Sequence, residues 1–309
     1  MQKETILINN KTVLVLGGRG FIGRYIVKHL KLLGAKVVIG TRFESNHRGF
    51  RQIKLQHIHR TPNWVEALEG IDVVVNTVGI LRQRKGESYD TIHNKAVKEL
   101  ANQCKQRNVR IVHISALGLT NPLLSRFSKS KYQGELSLKN SGANWAIVRP
   151  SLVDGEGGYG ARWFQRVARW PIQFIPANAT GVFAPIDADD LGEAVAKIAL
   201  LEKKEYAEKN RVYELAGNQN VNVTQYLELL RPNKKRVFTI NVPAFVARVA
   251  SHMLDILHLT PFSFGHYELL KHNNLPMVNR LEEILNRPPV IIGAKGLAVE
   301  RKHKEWVLT

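Results

Sequence analysis

Apolar positions in the first half of the chain fall by turns into short runs and 3.6-residue stripes. Residues 12–16 (TVLVL) form a β-branched run that ends in glycine, the pattern of a buried strand. Residues 21–33 carry Ile22, Ile26, Leu30 and Leu33 at helical spacing, and Gly34 closes the segment. The alternation continues, with strands predicted at 36–39, 53–58, 71–76, 109–114 and 145–148, and helices at 88–107 and 125–141. Strands separated by helices predict an α/β fold, a doubly wound parallel sheet with helices on both faces.

Past Pro150 the texture changes. Residues 154–160 hold four glycines and read as a mobile loop over the carboxyl end of the sheet. Asp187, Asp189 and Asp190 precede a helix at 191–201, where the helix dipole favours acids. A strand follows at 212–216, then a helix at 225–230 with Thr224 as its N-cap. Residues 242–259 form an amphipathic helical stretch with Phe245, Val246, Val249, Met253, Ile256 and Leu257 on one side. That side reads as ordinary core in preference to a membrane-facing surface. The division expected is 1–150 as the main domain, with 182–201 returning to it. Residues 151–181 and 202–309 make a smaller C-terminal α+β lobe and tail.

The first strand–helix junction reads VLVLGGRGFIG, with Gly17, Gly20 and Gly23 three residues apart. Gly17 permits the tight turn, Gly20 lets backbone N–H groups approach a pyrophosphate, and Gly23 allows close helix packing. Arg19, Phe21 and Ile22 complete the loop and the first helical turn, whose amino end offers partial positive charge to phosphates. Strand, loop and helix together make this a dinucleotide site and the sheet a Rossmann-type one. The second strand ends in Thr41-Arg42, with no acid where an NAD site usually keeps one for the ribose hydroxyls. Arg42 and Arg19 instead offer guanidinium groups to a 2′-phosphate, so NADP(H) is favoured over NAD(H).

Composition is that of an ordinary globular chain: 309 residues, 44% hydrophobic and 23% charged. The exception is a formal net charge of +19. Between Arg19 and Arg60 there are ten Lys/Arg against one acid, Glu44, more than cofactor phosphates account for. The excess is either a solvated surface or a face for a second anionic partner, such as a membrane. No recognition motif points to nucleic acid. The single cysteine, Cys104, excludes an internal disulfide, fits a reducing compartment and reads as a packed thiol. His57 and His59 share a strand face, but two ligands do not make a metal site. No apolar run is long enough to span a bilayer. With a strand starting about ten residues from Met1, no signal or transit peptide is expected, and the location expected is cytoplasmic, or peripheral at the inner membrane face.

Several further motifs carry a family resemblance: the glycine loop, Val73–Gly79 (VVVNTVG), His113–Gly118 (HISALG), Lys131 and Arg149-Pro150-Ser151. With them the chain resembles the atypical short-chain dehydrogenase/reductases (SDR). Within that family it is similar to the group of nucleotide-binding accessory subunits of complex I, the NADH:ubiquinone oxidoreductase, and their bacterial relatives. The tail motifs NVPAF at 241–245, LTPF at 259–262 and NLP at 274–276 extend the likeness. The resemblance places Asn76, Thr77 and Val78 beneath the adenosine, and Pro150 to Val153 beside the nicotinamide.

It also implies a catalytic serine, tyrosine and lysine, the lysine holding the nicotinamide ribose as well. Ser115 and Lys131 match, but Phe127 stands where tyrosine belongs, so no intact catalytic set is present. Losing that proton donor forfeits about 10²–10⁴ in rate. Tyr132 points about 140° away on a helix, and Tyr159 in the glycine-rich segment is the other alternative. The function expected is a dinucleotide-binding structural, assembly or regulatory partner of respiratory-chain complex I or of quinone metabolism. The alternative is an active NADPH-dependent oxidoreductase, epimerase or dehydratase with a different proton donor.

Overall fold

A computed structural model describes residues 10–42, 51–54, 64–84, 86–119, 125–202, 211–231, 237–247, 249–250 and 270–293. The first six strands are β1 (Thr12–Leu16), β2 (Lys36–Thr41), β3 (Arg51–Lys54), β4 (Val73–Asn76), β5 (Arg110–Ile114) and β6 (Trp145–Pro150). β7 (Val153–Asp154) pairs with β9 (Ile186–Asp187), and β8 (Ile172–Pro176) with β11 (Phe238–Val242). β10 (Arg211–Leu215) returns to the main sheet beside β6. The seven strands run in the order β10-β6-β5-β4-β1-β2-β3, every neighbour parallel. The winding reverses between β1 and β4, and such sheets bind ligands outside the strands' carboxyl ends at that point.

The helices are α1 (Phe21–Leu32), α2 (Trp64–Ala67), α3 (Ala96–Gln106), α4 (Arg126–Lys139), α5 (Tyr159–Ala168), α6 (Ala188–Leu200) and α7 (Val223–Leu230). Strand alternation divides the core into two layers. Val13 and Val15 of β1 face α1 and α6, where Ile26, Leu30, Leu191 and Val195 are buried. Leu14 and Leu16 face α3, Trp64 and Leu138 on the other side. β4 and β5 are buried at every position, as strands covered on both faces must be. Cys104 packs in the second layer, and burial pushes its thiol up to about 12, which keeps it protonated. A third cluster, with Phe183, Val221, Tyr226, Leu227 and Leu270, forms a separate core beyond the sheet.

Several elements differ from expectation, each for a local reason. The segment read as a loop to residue 160 ends at Gly158, and Tyr159 opens α5. Trp163, Phe164 and Val167 supply the helical apolar stripe that the glycines had masked. Asn222, not Thr224, caps α7, because Gln225 returns a bond to the Asn222 N–H and completes a capping box. Asp187 caps α6 three residues earlier than expected, accepting from the Asp189 N–H at 2.8 Å. β3 begins at Arg51, ahead of the predicted 53; most of the predicted strand, 55–58, lies outside the described residues. β10 belongs to the main sheet, although 202–309 had been assigned to the smaller lobe. The stretch 242–259 opens with the end of β11 and is helical at 244–247 and 249–250, with Phe245, Val246 and Val249 exposed instead of forming core; Met253, Ile256 and Leu257 lie outside the described residues.

Candidate functional site

The crevice where the winding reverses draws together most residues singled out from sequence. Gly17 leaves β1 at a φ of +74°, and its N–H donates to the Gly40 carbonyl at 3.3 Å. A Cβ on Gly23 would stand 2.1 Å from the Gly17 carbonyl oxygen, so glycine alone lets α1 sit this close to the turn. Gly20 is the N-cap of α1, which has no side-chain cap and no acid in its first turn. Its leading N–H groups are therefore available to an anion.

From this turn a cavity of about 430 Å³ runs along the carboxyl edge of the sheet. Gly20, Phe21, Ile22, Gly23, Thr77, Ser115, Lys131, Pro150 and Val153 all line it. Gly17, Arg19, Thr41, Arg42, Asn76 and Val78 are not among its lining residues. Asn76 is turned inward: its amide donates to His113 Nδ1 at 3.1 Å, and its Oδ1 accepts the Val78 N–H at 3.1 Å. Thr77 donates to the Leu16 carbonyl at 2.7 Å, bracing β4 against β1. Thr41 ends β2. Arg19 donates to the Gln52 amide oxygen at 2.7 Å, and Arg42 pairs with the carboxylate of Glu87, a partner not foreseen from sequence. An exposed pair of this kind is weak and can exchange for a phosphate.

At the other end, α4 sets Phe127 and Lys131 one turn apart. The Lys131 ammonium lies 5.9 Å from the Phe127 ring centre and donates to the Ile114 carbonyl at 3.4 Å. Burial lowers it to about 8, against the opposing pull of Glu135. The Phe127 ring meets Tyr89 and His93 edge-on, with centroids at 5.8 and 5.4 Å, and those two rings stack on each other. His93 Nε2 accepts the Ile80 N–H at 3.1 Å, while Ser130 donates to the Phe127 carbonyl at 2.8 Å. The remaining 2.9 Å bond, from His93 Nδ1 to Ser130, therefore assigns the proton to Nδ1. Burial, and then the charges of Lys131 and His113, push this imidazole down to about 2. Near neutrality neither Phe127 nor His93 is an acid.

α4 itself is held by ions. Glu135, fully buried, accepts from Arg149 Nε at 3.0 Å and Nη2 at 2.6 Å, and Arg149 also reaches Glu214 at 3.2 Å. Burial disfavours the Glu135 carboxylate, but the bonds and charge of Arg149 outweigh it and hold its pKa below the usual value. This bidentate pair ties α4 to β6 and, through Glu214, to β10.

Other cavity residues carry no motif that marks them in the sequence as part of the site. Trp163 and Phe164 of α5, with Leu117, Phe183 and Leu270, make an apolar wall, and Asn274 closes on it from the tail. The spacing within 159–168 and the motif at 274–276 were the available signals. Tyr159 lines the cavity and is half-exposed, whereas Tyr132 is not among the lining residues. The Ser151 hydroxyl and the Asn274 Oδ1 are buried here without hydrogen-bond partners, while the Ser115 hydroxyl faces the Glu135 carboxylate. Such orphaned polar atoms cost stability unless a polar ligand meets them, so the lining fits a dinucleotide. Among the described residues no three His, Cys, Asp or Glu side chains gather to hold a metal. His57 and His59 lie outside them.

Residues 17–166 match the model of the NAD(P)H-binding family. The chain is 27% identical over 257 residues to NADH dehydrogenase (ubiquinone) 1 alpha subcomplex subunit 9, mitochondrial, of Dictyostelium discoideum, covering 78% of this chain and 70% of that one. It is 26% identical over 191 residues to ceramide reductase of Caulobacter vibrioides, covering 60% of this chain and 59% of that one. Its fold superposes on the NADPH-dependent quinone oxidoreductase of Escherichia coli complexed with NADPH, with a TM-score of 0.69 at 18% identity, over 92% of this chain and 98% of that one. The chain thus carries an NAD(P)H-binding domain on a Rossmann-type sheet, and it resembles the atypical SDR proteins and, among them, subunit 9 of complex I.

Proposed function

We propose that this protein grips NADP(H) without the usual SDR turnover and serves as a structural, assembly or regulatory subunit of complex I or of quinone-handling machinery. The leading N–H groups of α1 hold the pyrophosphate. Arg19 and Arg42 take the 2′-phosphate, the latter exchanging Glu87 for it. The Thr77–Val78 backbone lies under the adenosine, with Asn76 as a brace beneath. Ser115 and Lys131 hold the nicotinamide ribose, and Pro150 to Val153 flank the ring. When bound, the dinucleotide supplies a hydride; the chain would have to supply the proton. The observation that carries this reading is Phe127 beside Lys131, with the neighbouring His93 neutral. The likeness to a complex I subunit supports the choice of partner. The basic surface supports a peripheral position on an anionic membrane.

A second reading is an active reductase whose proton comes from Tyr159, supported by that residue's place on the cavity wall and by the likeness to a reductase. Mass spectrometry of nucleotide released from the purified protein, with NADPH oxidation measured on carbonyls and quinones, separates the two. The first reading expects co-purified NADP(H) and negligible oxidation. It also expects Phe127→Tyr to raise oxidation by about 10²-fold or more, the usual worth of general acid catalysis. Steady wild-type oxidation that Tyr159→Phe abolishes would establish the second reading instead. Release of no nucleotide, with no binding on addition, would overturn both.

A further inference from the structure

Away from the crevice, β8 and β11 form a two-stranded parallel sheet that is apolar on its outer face. In their register Phe238 lies beside Ile172, and Ile240 beside Phe174. Alternation puts these four side chains on one side of the ribbon. All four are exposed, Phe174 at 59% and Phe238 at 79%, while Gln173 and Ile175 of β8 turn inward. Phe245 (76%), Val246 and Val249 add exposed apolar surface just after β11, and Trp170 just before β8. A folded chain does not ordinarily leave this much aromatic and branched surface in water unless something covers it.

The charges around these strands indicate what covers it. From 157 to 186 there are three arginines and no acid. Arg162, Arg166 and Arg169 recur at helical spacing and are exposed. Trp163 and Trp170, one residue further round, pack edge-on at 5.9 Å. Exposed aromatics bordered by cations of one sign match the apolar interior and anionic headgroups of a bilayer leaflet. A second copy of this chain would bring like charges together, which costs association.

We infer that the outer face of the β8–β11 ribbon, with Trp170 and Phe245, is a docking surface for an anionic lipid bilayer. This rests on the peripheral membrane position proposed above and adds the face that makes the contact. Docking involves α5 directly: Trp163 lines the cavity and touches Trp170 on the docking face. The nucleotide cavity and the bilayer surface thus share one helix.

The test is co-sedimentation of the full chain with phosphatidylcholine vesicles, with and without phosphatidylglycerol, across a salt series. Binding is expected only with phosphatidylglycerol and should weaken with salt. Phe174→Asp and Phe238→Asp should each cut the partition coefficient by about tenfold or more, because each removes a buried aromatic from the lipid contact. Val65→Asp, an exposed apolar site on α2, serves as the control and should change nothing. Sedimentation velocity and circular dichroism of each variant confirm that it remains folded. Salt-sensitive binding untouched by the two aspartates would leave the membrane position standing and overturn the docking face. Binding to neither vesicle would overturn both. A wild-type dimer that Phe238→Asp dissociates would assign the face to self-association and overturn the inference.

Discussion

At the scale of single residues, two positions dominate, one through space and one through chemistry. Gly23 is constrained by backbone alone: its absent Cβ would meet the Gly17 carbonyl carbon and the Gly18 Cα at 2.8 Å, as well as the oxygen at 2.1 Å. None of those atoms can swing aside. Gly23→Ala is expected to lose about 1–3 kcal/mol of stability in urea titration, the usual cost of overpacking. Nucleotide affinity should fall with it, read by fluorescence titration. Gly160→Ala is the contrast. Nothing lies within 4 Å of its added methyl, so a gain of about 0.5–1 kcal/mol is expected from the helix alone. Phe127 acts through chemistry instead of space, since a phenyl ring fills the place of a phenol but has no proton to pass on. Its identity is legible in the sequence. Its packing against Tyr89 and His93 is not, because those rings reach it from a segment some forty residues earlier.

At the scale of elements, α4 and the π-helical turn Thr91–Lys95 that leads into α3 bury two histidines next to Lys131. Both imidazoles would titrate near 6.5 in the unfolded chain, but the fold pushes His93 down to about 2 and His113 down to about 3. In each case burial is the leading cause, followed by the Lys131 charge. Across the interval from 6.5 down to 3 the unfolded chain binds more protons than the folded one. Stability therefore falls as pH is lowered through that window. Urea midpoints measured across it should decline steadily in acid, and His93→Gln should flatten part of the slope. An unchanged slope in that variant would place the acid sensitivity elsewhere. Most of these elements are legible in the sequence, since their stripes and runs are periodic. The start of α5 and the cap of α7 are not, because glycines and a reciprocal side-chain bond compete with periodicity there.

At the scale of the whole molecule, the crevice connects the sheet, α5 and the tail, so filling it should stabilise the chain globally. A ligand at a hundred times its dissociation constant adds about 2.7 kcal/mol. For a domain of this size that corresponds to on the order of 5 °C or more in Tm. Thermal melts with added nucleotide are expected to show that rise, larger for NADPH than for NADH if Arg19 and Arg42 bind the 2′-phosphate. Equal shifts would remove the arginines from that role. The same melts in Phe174→Asp and Phe238→Asp should show the full nucleotide response, because the docking face lies outside the cavity lining.

The sequence by itself determined the alternation of strands and helices, the glycine turn and the phenylalanine at position 127. These depend on backbone stereochemistry and side-chain periodicity over a few neighbouring residues, which chain order states directly. Only the tertiary structure decided how Asn274 and Leu270 come to share a cavity with Gly20, about 250 residues away. It also decided that Asn76 braces the floor instead of facing the cavity, and that Arg42 meets Glu87. The exposure of Phe174 and Phe238 belongs to the same class. An apolar residue on a strand is equally at home in a core or on a docking face, and only the packing around it determines which.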